Sequence, residues 1–221
     1  MYDHEDVTLE SFIRPPLNVW HTMDDSELLW RASMEPRRHV YPFKRVPKLA
    51  FMFLTKGPLP FAPLWEMFFK GHEGLYSIYV HALPNYRSDF EKSSVFYRRY
   101  IPSCGMGEMS MCEAERRLLA NALLDISNEC FMGCADEEGP DGRGRYRNGM
   151  EPEITLSQWR KGSQCYFGKA DVTETFLKNL PGAKACFYND QKSPVCYLFA
   201  RKFAPSALEP LLELAPKILG F

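Results

Sequence analysis

The chain has 221 residues, 45% of them hydrophobic, and a formal net charge of −1 at pH 7. This length allows one sizeable core and one or two domains, and the near-neutral charge argues against a nucleic-acid-binding surface. No apolar run reaches the roughly 18 residues of a membrane span, and the acidic start MYDHEDVTLE is unlike a secretory signal. We therefore expect neither a membrane anchor nor a signal within these residues.

Residues 47–81 predict a strand, a loop, a helix and a second strand, after a polar N-terminal segment with one short helix at residues 26–32. Lys48–Leu54 is an almost continuous apolar run, as expected of a strand buried on both faces, and the loop that starts at Thr55 ends it. Apolar residues then recur at helical spacing, and Tyr76–His81 predicts a strand parallel to the first. Many functions share such a unit, so the pattern alone names no ligand.

The middle of the chain predicts a third strand, a long helix and a loop. Val95–Ile101 is the strand candidate, and Ser110–Ile126 has one apolar stripe at helical spacing. Glu129–Gly149 is rich in glycine and carboxylates and is predicted to be a loop. A calcium or magnesium site is conceivable there, but the ligand order of an EF-hand is missing and the chain has no Asp-x-Asp, which favours a solvated acidic turn.

The cysteines do not define a metal site or a disulfide scheme. There are seven, so at least one is unpaired in any intrachain scheme. Cys130 and Cys134 have the spacing of half a zinc site, but all five histidines precede residue 82 and no second pair follows. We therefore predict no metal ligands.

The C-terminal part predicts a strand, a cationic pair and a helix. Val195–Ala200 is strand-like, and Arg201 and Lys202 follow it directly. Ser206 with Glu209 has the spacing of a capping box that begins a helix. Cations at the end of a strand can bind a diphosphate, and the alternative is a solvated surface pair.

Long motifs resemble one family. The segments LAFMFLTKGPLPFAPLWEMFFKGHEGLYSIYVHALPNYRSDF, SSVFYRRYIPS, GEMSMCEAERRLLANALLDISNE and CFYNDQKSPVCYLFARKF closely resemble the plant branch of the core-2/I-branching β-1,6-N-acetylglucosaminyltransferases. The resemblance implies a GT-A-like (Rossmann-like) α/β sheet flanked by helices. It also implies inverting transfer of a sugar from a UDP-sugar donor to a glycan or glycoprotein acceptor, without a metal cofactor, at the Golgi membrane. Without a visible anchor, the cytoplasm is the fallback location.

The same resemblance assigns a nucleotide-sugar site. Leu54 and Thr55 match positions that line the nucleotide pocket, and His81 falls near a position where many relatives place an acidic uracil contact. Gly107, Glu108 and Ser110 match the turn that enters the helix beside the donor. Lys202, assisted by Arg201, matches the lysine that neutralises the donor diphosphate, where a fixed cation stabilises the leaving UDP.

Two departures from the family pattern concern the acceptor side. After Glu129 a central piece is missing, and after Gln164 the region that should carry the catalytic carboxylate is missing. Inverting transfer needs such a base, so no catalytic residue is assigned and the fold is expected to be incomplete. The alternatives to an active transferase are a catalytically inactive shortened isoform and an interaction protein that pairs with a full-length transferase.

The predicted organisation has four parts. Residues 1–46 are an outer segment, 47–129 the nucleotide-sugar-binding half, 130–165 a glycine-rich acidic loop with the remnant of a central region, and 166–221 the C-terminal part of the same domain.

Overall fold

The structure is a computed structural model. It describes residues 19–34, 44–102, 110–135, 155–157, 159–160, 163–164, 167–179, 186–188, 191–193, 199–201 and 203–220. The chain divides into two compact units, unit one with residues 1–59 and 69–137 and unit two with residues 60–68 and 138–221. The four predicted parts remain a prediction.

A three-stranded parallel sheet forms the centre of unit one. Its strands are β1 (Lys48–Leu54), β2 (Tyr76–His81) and β3 (Asn128–Ala135), in the order β2-β1-β3. Both neighbours run parallel to β1. The first two strands have the predicted bounds and the predicted parallel pairing, which confirms the α/β class.

Two helices of unit one also follow their predictions. The first, α1 (Asp25–Ser33), begins after the N-cap Asp24, whose carboxylate accepts a hydrogen bond from the backbone N–H of Glu27 at 2.8 Å. The helix α3 (Met111–Leu123) has a complete capping box formed by Ser110 and Glu113. It ends three residues before the predicted end, where Asp125 begins a turn that leads into β3.

One core cluster of unit one lies between α3 and the sheet. Its buried residues come from α3, β1, β2 and neighbouring loops and are Val19, Ala50, Leu54, Tyr79, Ile101, Ala114, Leu118 and Ala122. A second cluster joins α1 to α3 through Leu28, Ala32 and Ala120. Asp25 also forms an ion pair with the buried guanidinium of Arg117. The side chain of Asn128, at the start of β3, donates to the carbonyl of Ala122 near the end of α3 at 2.7 Å, so the N-terminus of α3 lies towards the carboxyl ends of the strands.

Two predictions about unit one are wrong. Residues 95–98 form turns, Arg99 is irregular, and Tyr100 makes an isolated parallel bridge to Val80. The chain bends there because Arg98 has a left-handed backbone, with φ of 55°. The predicted loop 129–149 instead begins with residues 129–135 of strand β3. Backbone pairing with β1 holds this strand although Cys130 and Gly133 are exposed.

Unit two contains α2 (Ala62–Phe69) up to Phe68, α4 (Glu174–Asn179), α5 (Leu208–Ile218) and three short strand pairs. The pairs are β4 (Thr155–Ser157) with β9 (Phe199–Arg201), β5 (Trp159–Arg160) with β6 (Ser163–Gln164), and β7 (Cys186–Tyr188) with β8 (Gln191–Ser193). The core of this unit consists of Phe61, Val172, Leu177, Ala207 and Leu211.

The predicted capping box of the last helix is wrong. Residues Pro205–Ala207 form a 3-10 turn, and α5 begins after Ala207 without a side-chain cap. Ser206 lies within that turn, and the carboxylate of Glu209 pairs with the ammonium of Lys169. Proline at the first position favours the turn and moves the helix start past the serine.

Candidate functional site

The carboxyl ends of the three parallel strands meet at one edge of unit one. Leu54, the last residue of β1, is in register with His81 of β2 on one side and with Ala135 of β3 on the other. The chain leaves β1 towards β2 and then returns to the opposite side of β1 as β3. In open α/β sheets, ligands bind beyond the carboxyl ends of the strands at such a reversal. The crevice expected beyond the carboxyl ends of β1, β2 and β3 is therefore the candidate site.

The loop after β1 is held in one shape by Thr55. The side chain of Thr55 is buried, and its hydroxyl donates a hydrogen bond to the carbonyl of Pro58 at 3.0 Å and accepts one from the N–H of Gly57 at 3.1 Å. The N–H of Thr55 itself donates to the carbonyl of His81 at 2.9 Å. Thr55 thus positions the loop at the candidate crevice, and its hydroxyl already has partners within the chain.

Two tyrosines lie behind this loop. A Cβ atom on Gly57 would lie only 3.2 Å from the Tyr86 ring, and the hydroxyl of Tyr100 donates to the carbonyl of Gly57 at 3.5 Å. The two rings contact each other with centroids 5.6 Å apart. Sequence reasoning missed both tyrosines. The signal that could have found them is Gly57 itself, because a glycine after a buried strand often marks a close approach of another group.

His81 is the most unusual polar residue at this edge. It is only 5% exposed, and its Nε2 atom has no hydrogen-bond partner in the described part of the chain. Burial lowers the pKa of His81 from its ordinary value of 6.5. The imidazole is therefore neutral at pH 7. Since a buried polar atom without a partner costs about 1–3 kcal/mol, this group is suited to a ligand that supplies one.

The N-terminus of α3 is the third component of the edge. The hydroxyl of Ser110 accepts a hydrogen bond from the N–H of Glu113 at 3.2 Å, and the Glu113 carboxylate accepts one from the N–H of Ser110 at 2.8 Å. Hydrogen bonds from Ser110 hold the pKa of Glu113 below its usual range. Ser110 therefore fixes the start of the helix, whose N-terminal backbone favours anions.

The remaining predicted site residues are described only in part. Gly107, Glu108 and Lys202 lie outside the described residues. The backbone of Arg201 ends β9, where it is in register with Ser157 in unit two. The structure thus brings Leu54, Thr55 and His81 together at one edge and places Ser110 at the start of α3.

The described residues hold neither a metal-ligand cluster nor a membrane-spanning helix. They contain no group of three or more His, Cys, Asp or Glu side chains that could hold a metal ion. None of the described helices is long and apolar enough to cross a membrane.

A parallel α/β sheet flanked by helices is the arrangement of a GT-A-like fold of the Rossmann type. Residues 49–135, from β1 to the end of β3, match the family model of the Core-2/I-Branching enzyme. Over this region the chain is similar to that family, as its motifs predict.

One curated relative shows how much of such a protein this chain represents. The chain is 35% identical over 147 residues to a protein named Glycosyltransferase BC10 from Oryza sativa subsp. japonica. The match includes 53% of this chain and 37% of the relative, so the chain spans little more than a third of that protein. No solved structure matches.

Proposed function

We propose that the chain is the donor-binding half of a glycosyltransferase of the β-1,6-N-acetylglucosaminyltransferase type. In this proposal it binds a UDP-sugar, and the sugar is transferred with inversion to a glycan or glycoprotein acceptor. The main support is that the family match, residues 49–135, coincides with the strands and helix that build the candidate crevice. The Golgi membrane, inferred from the resemblance, is the proposed location, and immunolocalisation of tagged protein tests it.

The geometry supports a specific mode of nucleotide binding. The Nε2 atom of neutral His81 is buried without a partner, and in the tautomer that carries its proton on Nδ1 it would accept a hydrogen bond from the N–H on the pairing edge of uracil. The N-terminus of α3 favours the negative diphosphate. The roles of Lys202 and Arg201, which would neutralise a diphosphate in place of a metal, are proposed from the family resemblance alone. Leu54 and the loop held by Thr55 would form the wall of the pocket. Gly107 and Glu108 would complete the turn beside the donor.

Binding and turnover are separate parts of this proposal. Calorimetric titration with UDP and UDP-N-acetylglucosamine at pH 7.5 should show binding by the wild type, and His81→Leu should weaken it at least tenfold. The matched control is His72→Gln, which changes an exposed histidine beyond α2. Absence of UDP binding by the folded wild type would refute the donor-site proposal.

A second candidate is a catalytically inactive protein that retains the donor half and pairs with a full-length transferase. It is favoured by the lack of the expected catalytic carboxylate after Gln164. Release of UDP in the presence of acceptor glycans distinguishes the two. Turnover would reject the inactive alternative, whereas UDP binding without turnover, together with co-purification of a full-length transferase, would support it.

A further inference from the structure

A second cleft lies at the opposite end of β2. It has a volume of about 300 Å³ and is formed by residues 92–99 against the first half of β2, including Tyr76 and Ser77. The outer side of this half-strand is unpaired in the described part of the chain, since the parallel bridge to Tyr100 begins only at Val80. The cleft is therefore distinct from the crevice at the carboxyl ends of the strands.

The lining of this cleft is strongly cationic. Lys92, Arg98 and Arg99 contribute to it, whereas no acidic residue does among the residues described. In the same part of the chain, no carboxylate forms an ion pair with any of the three cations. The hydroxyl-bearing residues Ser77 and Ser94 also line the space. Three cations without counter-charges around one concavity produce a positive potential that attracts anions.

The backbone holds one of these cations at an energetic cost. Arg98 has φ of 55°, a conformation that costs a residue other than glycine about 1 kcal/mol or more. Backbone hydrogen bonds on both sides fix the conformation of Arg98. The N–H of Tyr97 donates to the carbonyl of Ser94 at 3.1 Å, and the N–H of Arg99 donates to the carbonyl of Phe96 at 3.2 Å. The guanidinium of Arg98 lies 5.2 Å from the ring centroid of Tyr97. The strained turn therefore presents Arg98 in a defined position beside Arg99.

The volume indicates the size of a suitable ligand. About 300 Å³ lies at the lower end of the range of small-molecule pockets and exceeds what one phosphate group fills. Arginine guanidinium groups match the geometry of phosphate and sulfate oxygens. We propose that this cleft binds a small molecule through its phosphate or sulfate ester, independently of the nucleotide crevice.

Calorimetric titration of the full chain with glucose 6-phosphate at low salt tests the proposal, with glucose as the neutral match. We expect glucose 6-phosphate to bind, glucose not to bind, and the affinity to fall as sodium chloride screens the cations. Inorganic sulfate should compete. His81→Leu, which alters the nucleotide crevice, should leave the affinity for glucose 6-phosphate unchanged, whereas loss of binding in that variant would place the phosphate in the crevice and overturn the proposal.

Variants separate binding from folding. Arg98→Gly removes the cation and also relieves the positive φ, so the protein should keep its melting temperature while its affinity falls about tenfold. Arg99→Gln should weaken binding similarly. Arg116→Gln, which changes an exposed cation on α3, is the matched control and should bind normally. Equal affinity in all three variants, or no binding by the wild type at millimolar ligand, would refute the proposed site.

Discussion

The N–H of Thr55 donates a hydrogen bond of 2.9 Å to the carbonyl of His81, which extends the pairing of β1 and β2 by one residue beyond the sheet. This bond joins the loop after β1 to the residue that ends β2. The shape of the loop and the position of the buried imidazole are therefore linked at the candidate crevice.

Replacement of Thr55 should loosen that loop. Thr55→Val keeps the volume but removes the hydroxyl that bonds Gly57 and Pro58. We expect the free energy of unfolding to fall by about 1–2 kcal/mol in urea denaturation. Thr55→Ser retains the hydroxyl and should recover most of this loss. Equal stability of the valine and serine variants would show that the hydroxyl does not hold the loop.

His81 should make the stability depend on pH. Burial lowers its pKa in the folded state from the ordinary 6.5, so the unfolded chain binds a proton more readily. The contribution of neutral His81 is present above pH 6.5 and is lost as the pH falls towards the lower folded pKa. Urea denaturation between pH 7.5 and 5 should show a steeper decline for the wild type than for His81→Leu, and parallel curves would contradict the assignment.

Tyr79 should make the stability depend on pH in the alkaline range. Burial raises the pKa of Tyr79 to about 12, and its hydroxyl accepts a hydrogen bond from the amide of Asn128 at 3.1 Å. The ordinary pKa is 10.0, so the folded chain holds the phenol proton more tightly than the unfolded chain does. The protonated phenol therefore contributes its full stabilisation below pH 10, and this contribution declines as the pH rises towards 12. Tyr79→Phe should lower the free energy of unfolding at pH 8 by about 1 kcal/mol. In urea denaturation, it should also reduce the fall of that free energy at alkaline pH. An unchanged alkaline decline would argue against a buried phenol.

The ion pair of Lys48 and Asp125 should be sensitive to loss of one partner. The ammonium of Lys48 donates to the carboxylate of Asp125 at 3.1 Å, and the side chains are only 12% and 3% exposed. Lys48→Met would leave the carboxylate buried without its cation and should cost about 3 kcal/mol in urea denaturation. The double variant Lys48→Met with Asp125→Asn should recover at least 1 kcal/mol of the free energy of unfolding lost by Lys48→Met alone.

The control for that pair is Lys217→Met, because Lys217 and Glu213 form an exposed pair on α5. Its effect should stay within about 0.5 kcal/mol. Similar losses for Lys48→Met and Lys217→Met would mean that burial does not strengthen the first pair.

The sequence predicted those parts of the fold that depend on local pattern. Lys48–Leu54 and Tyr76–His81 are short apolar runs bounded by turn residues, and their bounds match the structure. β3 was missed because its residues are only partly apolar and include Gly133. What makes them a strand is pairing with β1, a partner distant in the sequence.

Similar reasons limit the prediction of the site. Resemblance located Leu54, Thr55 and His81 at the carboxyl edge, but no pattern indicated that the Thr55 hydroxyl is used within the loop or that Tyr86 and Tyr100 support it. The cationic cleft was missed because Arg98 and Arg99 fell in a predicted strand. The left-handed backbone at Arg98 results from the surrounding turns, and arginine itself gives no signal for it.

The strand order β2-β1-β3 also has a consequence for biosynthesis. β1 can pair with β2 soon after both have left the ribosome, but its other edge must wait for Asn128–Ala135. At roughly 5–20 residues per second, translation from the end of β2 to the start of β3 takes several seconds. During that interval a strand of the sequence KLAFMFL has one edge unpaired. The nascent chain should therefore need a chaperone most while the segment between β2 and β3 is being synthesised.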